Sequence, residues 1–265
     1  MPSSSKRSFV VTGSASGMGA ATVSQLRSEG HRVIGVDLHD AEVVADLSTA
    51  EGRSEAIGAI RESAEAIDGI ATWAGVAGLT DVPGSLLASV NFFATVELLE
   101  GLHDQLAAAE APAAVAISSN STTCQPGVPM SLVEQLLGGD EASSRALADE
   151  VGSLGTYPAT KLALARWVRR NAPTERWAGC GIAVNAVAPG AIETPMLQAT
   201  REDPTIGQFI DAFPIPVGRK GTAEELAGFV CFLLGPGARF CCGSVFFVDG
   251  GTDALIRPDS VPVPM

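Results

Sequence analysis

VVTGSASGMGAA, residues 10–21, opens as an apolar run and breaks at three glycines, Gly13, Gly17 and Gly19. The run continues back to Ser8 and reads as a buried strand, and GAATVSQLRSEG after it has helical spacing that stops at Gly30. Glycines between a strand and a helix serve two purposes. They permit a tight turn, and they let backbone amides approach a pyrophosphate that the positive end of the following helix attracts. The spacing is GxxxGxG, not GxGxxG, and Ser16 and Met18 lie within the same turn. A glycine-rich turn alone is weak evidence, but here it has the required strand before and helix after.

Outward from this turn, apolar strands and helical stretches alternate. Strand patterns recur at HRVIGVDL, GIATWAG, AAVAISSNS, GIAVNAVAPG and GSVFFVDGG. Between them lie helical patterns, including SLLASVNFFATVELLEGLHDQLAAA, read as one long helix. Continuous apolar strands separated by helices predict an α/β fold, a doubly wound parallel sheet with helices on both faces. No long linker or repeat interrupts the pattern, so residues 1–265 read as one domain. Two segments break the alternation. Residues 125–155 read as an insertion of two short acidic helices, and residues 194–219 as a cover over a ligand crevice. The closing RPDSVPVPM carries no helix or strand signal.

The formal net charge of −13 argues against nucleic acid and against an anionic membrane surface. No stretch reaches the roughly 18 apolar residues of a spanning helix, and the first residues lack a secretion signal, so a cytoplasmic protein is expected. The five cysteines show no CxxC or zinc-ligand spacing and read as thiols in a reducing compartment. His31, His39 and His103 are scattered, so no metal is expected. Asp37 ends the second strand, 18 residues after Gly19, where an acid can accept hydrogen bonds from ribose hydroxyls and repel a 2′-phosphate. It predicts NAD over NADP.

GTYPATKLALARW, residues 155–167, holds the chain's one tyrosine, Tyr157, with Lys161 four positions on. On a helix the two share a face. A nearby ammonium favours a phenolate and would lower the phenol pKa from about 10 toward the range where acid–base catalysis is efficient. By spacing alone, a structural tyrosine and a surface lysine look the same. Ser118 and Ser119 end the fourth strand, where a hydroxyl can hold a carbonyl oxygen.

Together these elements resemble the short-chain dehydrogenase/reductase family over nearly the whole chain. The matching residues are TGSASGMG at 12–19, Asp37, ADL at 45–47, AG at 74–75, Asn91, ISS at 117–119, YPATK at 157–161 and APGAIETPM at 188–196. The resemblance implies a Rossmann-like fold and a role for each match. Ser119 would polarise the substrate oxygen and Tyr157 would carry the proton. Lys161 would lower the tyrosine pKa and hold the nicotinamide ribose, and Asn91 would bind a relay water. Asp46 and Leu47 would contact adenine, Ala74 and Gly75 would line the cofactor, and Pro189, Gly190, Ile192 and Thr194 would hold the nicotinamide end. Thr72-Trp73 replaces the family's usual asparagine pair, and Trp73 reads as a core residue.

DAEVVADLSTAEGR, the long connection between Ser119 and Tyr157, and VDGGTDALIRP are similar to the bacterial 3α-hydroxysteroid dehydrogenase/carbonyl reductase group. That likeness implies a bulky apolar alcohol or ketone substrate. It also implies a homo-oligomer, with a dimer favoured because the insertion would block the helices many relatives use to form tetramers. Met196, Leu197, Ile206, Phe209, Ile210, Phe213 and Ile215 suit an apolar lid, or equally the buried face of a short helix. An aromatic or terpenoid alcohol fits the chemistry as well as a steroid. A non-catalytic NAD sensor or subunit is the reading from a different class, and an isomerase or dehydratase that retains its cofactor is a third.

Overall fold

The computed structural model describes residues 6–210 and 212–260, apart from the side chain of Phe209. The end of the proline-rich tail, 261–265, and the Phe209 side chain expected in the lid therefore lie outside the described residues.

Seven parallel strands form one sheet: β1 (Ser8–Thr12), β2 (Arg32–Asp37), β3 (Val43–Val44), β4 (Gly69–Thr72), β5 (Ala113–Ile117), β6 (Ala183–Pro189) and, last in the chain, β9 (Val245–Val248). Their order is β3-β2-β1-β4-β5-β6-β9. The chain begins in the middle, builds outward through β2 and β3, then returns to the other side of β1 for β4. The carboxyl ends of β1 and β4 therefore flank the point where strand order reverses, the crevice in which such sheets take ligands. A second, two-stranded sheet pairs β7 (Ile192–Glu193) with β8 (Gly221–Thr222).

Both faces of the large sheet are apolar because side chains alternate along each strand. Val10, Ile70, Ala114 and Ala116 point into one core with α2 (Ala50–Ser63), α4 (Thr95–Gly101) and α9 (Ser153–Asn171), supplied by Ile60, Leu98, Leu99, Leu164 and Val168. Phe9, Val11, Ala71 and Val115 point to the other, against α1 (Gly17–Ser28) and α12 (Ala223–Leu234), supplied by Val23, Leu26, Leu226, Val230 and Leu233. This is the doubly wound, Rossmann-like arrangement expected from the sequence. α12 starts with a full capping box, Thr222 and Glu225 each bonding the other's backbone N–H.

The long helix expected over 85–109 is not continuous. It runs as α3 (Gly84–Ala88), a π-helical turn at Ser89–Ala94, α4, and α5 (His103–Ala107). Apolar periodicity cannot see a widened turn. The cause lies in tertiary contacts: Asn91, inside that turn, spends both side-chain groups on the backbone of Val76, its Oδ1 accepting from Val76 N at 2.8 Å and its Nδ2 donating to Val76 O at 3.0 Å.

After β5 comes the short α6 (Ser121–Cys124). Residues 125–155 then hold α7 (Met130–Leu137) and α8 (Glu141–Val151), the two helices read from the sequence, and the start of α9. Leu132, Val133, Leu136 and Ala148 are buried in the first core. α8 lies so close to α3 that a Cβ on Gly84 would stand 2.0 Å from Ala148 O. A buried guanidinium pins the same helix. Arg53 of α2, its side chain 1 % exposed, donates to Glu97 of α4 and Glu141 of α8, and Nη1 reaches Leu47 O at 3.3 Å. Ser89 Oγ donates to Glu141 Oε1 at 2.6 Å.

Candidate active site

The turn after β1 has the backbone its glycines suggested. Gly13 and Gly17 adopt φ of 65° and 53°, where a side chain is strained. A Cβ on Gly13 would lie 2.8 Å from Ala74 N, and one on Gly19 2.0 Å from Gly13 O, so these two close the turn. Gly17 differs, because its Cβ would meet nothing nearer than Thr194 Cγ2 at 3.6 Å. It leaves space beside the first turn of α1. Ser16 sits at that N-cap without a side-chain capping bond, and the first turn carries no acid, so its free N–H groups remain available to an anion.

That space belongs to a cleft of about 280 Å³ lined by Gly13, Ser16, Gly17, Met18, Gly19, Asp37, Asp46, Leu47, Ala74, Gly75 and Thr194. The sequence reading missed Leu86 and Val90, which also line it, as does Met196, which it assigned to the lid. They sit on helices whose facing cannot be read from spacing alone. Asp37 is fixed by two amides: Oδ2 accepts from Ala15 N at 2.9 Å and Oδ1 from Leu38 N at 2.7 Å. Each oxygen keeps a lone pair for a further donor. Hydrogen bonds from Ser48 hold the Asp46 carboxyl below the usual carboxylate range.

The remaining predicted cofactor residues stand otherwise. Pro189 O accepts from Asn120 N at 2.9 Å, and a Cβ on Gly190 would meet Asp249 Cα at 2.7 Å. Ile192 turns its side chain into the second core, so only its backbone is available to a ligand. Thr194 caps α10 (Pro195–Glu202), its hydroxyl accepting from Leu197 N at 3.3 Å. Trp73 is 8 % exposed and packed in the second core while also edging the cleft. The bracing expected of the missing asparagines falls to Thr12, whose Oγ1 accepts from Ala74 N at 3.0 Å.

α9 brings the candidate acid–base group to the end of β5. Helix spacing puts Tyr157 and Lys161 on one face, and Ser118 locks that face to the strand by donating to Lys161 O at 2.9 Å. Pro158 lies inside α9 and has no N–H for Leu154 O; Gln125 Nε2 donates to that carbonyl instead, at 2.9 Å. The proline in YPATK was visible in the sequence, and the carbonyl it orphans was a signal that a side chain from elsewhere must be near.

Ser119 Oγ accepts from Ser121 N at 3.1 Å and shares a hydrogen bond with Tyr157. Lys161, 5 % exposed, donates from Nζ to Ile117 O at 2.9 Å and lies 5.9 Å from the Tyr157 ring centroid. The electrostatics differ from the expectation that Lys161 lowers the phenol. Burial raises the Tyr157 pKa above its ordinary value, with the Ser119 hydrogen bond opposing it. Burial also lowers Lys161 to about 8. With its ammonium turned to a strand carbonyl, loss of hydration outweighs attraction in both groups.

The lysine shift has a consequence for stability. An unfolded lysine titrates near 10.4, so between about pH 8 and 10.4 the unfolded chain binds more protons and stability rises with pH. Below pH 8 the whole cost of burying the charge is present. Lys161→Met should therefore stabilise the fold at pH 7 by about 1–2 kcal/mol, net of the lost bond to Ile117, and flatten the rise toward pH 9. Urea melts at the two pH values check this, and a less stable variant at pH 7 would contradict it.

A nucleotide cradle at a strand-order switch, beside a serine, a tyrosine and a lysine, is the layout of a dehydrogenase. The chain belongs to the short-chain dehydrogenase/reductase family and is an oxidoreductase: residues 13–253 match the family described as Enoyl-(Acyl carrier protein) reductase. It is 40 % identical to the 3-alpha-hydroxysteroid dehydrogenase/carbonyl reductase of Comamonas testosteroni, across 94 % of this chain and 98 % of that one. It is similar to the coniferyl-alcohol dehydrogenase of a Pseudomonas species, at 31 % identity over 92 % and 96 % of the two chains. Its structure matches that of the 3-alpha-hydroxysteroid dehydrogenase from Pseudomonas sp. B-0831 complexed with NADH, with a TM-score of 0.90, 43 % identity, and 95 % and 99 % of the chains covered.

Proposed function

We propose that the chain interconverts a secondary alcohol and its ketone with NAD(H), acting on a bulky apolar substrate of steroid-like shape. The observation that carries this reading is the meeting of Ser119, Tyr157 and Lys161 beyond the end of β5, with Lys161 Nζ 3.6 Å from the position of a Cβ on Gly75, which lines the cleft. The residues fit the dinucleotide. The open space at Gly17 and the uncapped first turn of α1 would take the pyrophosphate, Asp37 the ribose, and Asp46 and Leu47 the adenine. Bound there, the nicotinamide supplies or accepts the hydride.

The chain's own groups handle the proton. In reduction, the Tyr157 hydroxyl donates to the carbonyl oxygen while the Ser119 hydroxyl holds the same atom. A raised phenol pKa keeps the donor protonated at neutral pH. Lys161, near 8, can hold or release a proton there and replenish the phenol. Oxidation reverses each step. Asn91, anchored by its two hydrogen bonds to Val76, keeps one Oδ1 lone pair and one Nδ2 hydrogen with which to hold the relay water between Lys161 and solvent.

An NADH-absorbance screen of steroid, aromatic and terpenoid alcohols tests this reading. Turnover of a 3-hydroxysteroid supports it, while turnover of aromatic alcohols alone selects the second reading, which the likeness to coniferyl-alcohol dehydrogenase favours. Run with both cofactors, the screen should show NAD preferred and Asp37→Ala narrowing the preference about tenfold. An unaltered ratio would remove Asp37 from the ribose.

We further propose one domain with an insertion at 125–155 and a lid at 194–219. Because α7 and α8 cover the α3 and α9 faces, a homodimer is expected over a tetramer, and size-exclusion chromatography decides between them. Among the described residues no helix is long and apolar enough to cross a membrane, and all five thiols are free, which supports a cytoplasmic setting.

A further inference from the structure

Residues 76–80 follow the end of β4 and touch three parts of the molecule in turn: the widened turn at Asn91, α9 and the end of α10. Val76 holds Asn91 through both backbone groups. Gly78 faces α9: a Cβ there would stand 2.9 Å from Tyr157 Cβ and 3.0 Å from Ser153 O. Leu79 O accepts the Ser153 hydroxyl. Thr80 donates from both N and Oγ1 to Asp203 Oδ2, each at 2.8 Å.

Asp203 follows the last turn of α10, the first helix of the lid. Its other oxygen accepts from Thr205 N at 2.9 Å and Ile206 N at 3.1 Å. The carboxylate is 8 % exposed and meets four donors, and the hydrogen bond from Thr80 N leads the influences that hold it at about 2. Charge-assisted bonds of this number make a stiff joint. α10 cannot lift without breaking its two bonds to Thr80. A displaced Thr80 moves Gly78 two residues away, which lies against Tyr157 Cβ and the Ser153 carbonyl with no side chain of its own to absorb the shift.

We propose that residues 76–80 act as a strap through which Asp203 couples the seating of the lid to the placement of the Tyr157 phenol. Asp203, Thr80 and Gly78 are then positioning residues for proton transfer. This inference rests on the reading of Tyr157 as the proton carrier.

The single tyrosine gives a readout that needs no turnover, since ultraviolet difference absorbance on the whole chain reports one phenol. In Asp203→Asn and Thr80→Val, limited proteolysis should cut the α10 region at least tenfold faster. The phenol titration should move down toward that of free tyrosine by about half a pH unit or more as the site wets. The pH profile of kcat should move with it and kcat fall about tenfold, with NADH affinity changed less than twofold. Thr80→Ser should restore all of these, and Gly78→Ala should shift the titration without speeding proteolysis. A folded Asp203→Asn or Thr80→Val that loosens α10 but titrates like the wild type overturns the strap, and so does one that leaves α10 protected. If the wild type turns over no alcohol while Asp203→Asn still shifts the phenol, the coupling stands and the dehydrogenase reading falls.

Discussion

Replacing Tyr157 with phenylalanine should lower alcohol oxidation and ketone reduction by about 10³-fold or more while leaving NADH affinity within twofold. The change deletes one oxygen from a partly buried ring, so packing hardly alters. The lost oxygen is the group that shares a hydrogen bond with Ser119 beside the cleft. General acid–base catalysis supplies roughly 10²–10⁴ in rate, and here no neighbour can replace it. Ser119 has an alcohol pKa far too high to act alone as an acid, and Lys161 points to Ile117 O. NADH titration by fluorescence and steady-state rates on one preparation separate binding from chemistry. Retained turnover would remove the phenol from the proton path.

The largest expected loss of stability comes from a residue outside the cleft. Arg53→Met should cost about 2–3 kcal/mol, because it removes the buried guanidinium that ties Glu97, Glu141 and Leu47 O together, while the two carboxylates, 41 % and 24 % exposed, stay partly hydrated. For a chain of this size each kcal/mol lowers the midpoint by about 2–4 °C, so melting should fall by about 4 °C or more. Most of the penalty is the lost hydrogen bonding, with a smaller part from the repulsion of the two carboxylates. Adding Glu97→Gln and Glu141→Gln to Arg53→Met should therefore recover only a minor part of it. Calorimetry on the single and triple variants checks the assignment, and a single variant within about 1 kcal/mol of wild type would refute it.

The strands and the cradle were legible because both are local. Val10 and Val11 flank the sheet by alternation, and Gly13, Gly17 and Gly19 occupy a turn whose backbone only a short span of sequence dictates. Tyr157, Lys161 and Ser119 were legible through the family pattern, since spacing alone leaves a helical tyrosine ambiguous. What escaped depends on contacts between distant residues. The widened turn at Asn91 answers to Val76, and the fixing of the TWAG segment to Thr12. The Gln125 side chain answers to a carbonyl that Pro158 vacates. The electrostatic expectation failed for a related reason. One turn of helix sets how near Lys161 comes to the phenol, but depth in the fold sets what each proton costs, and depth has no signature at a spacing of four.

The seating of α7 and α8 bears on attempts to shorten this chain. Gly84 permits backbone-to-backbone contact with Ala148, and Leu132, Val133 and Leu136 seal the sheet's flank. Excising that stretch would strip a waterproof panel from the molecule, and the trimmed enzyme would clump before its chemistry could be assayed.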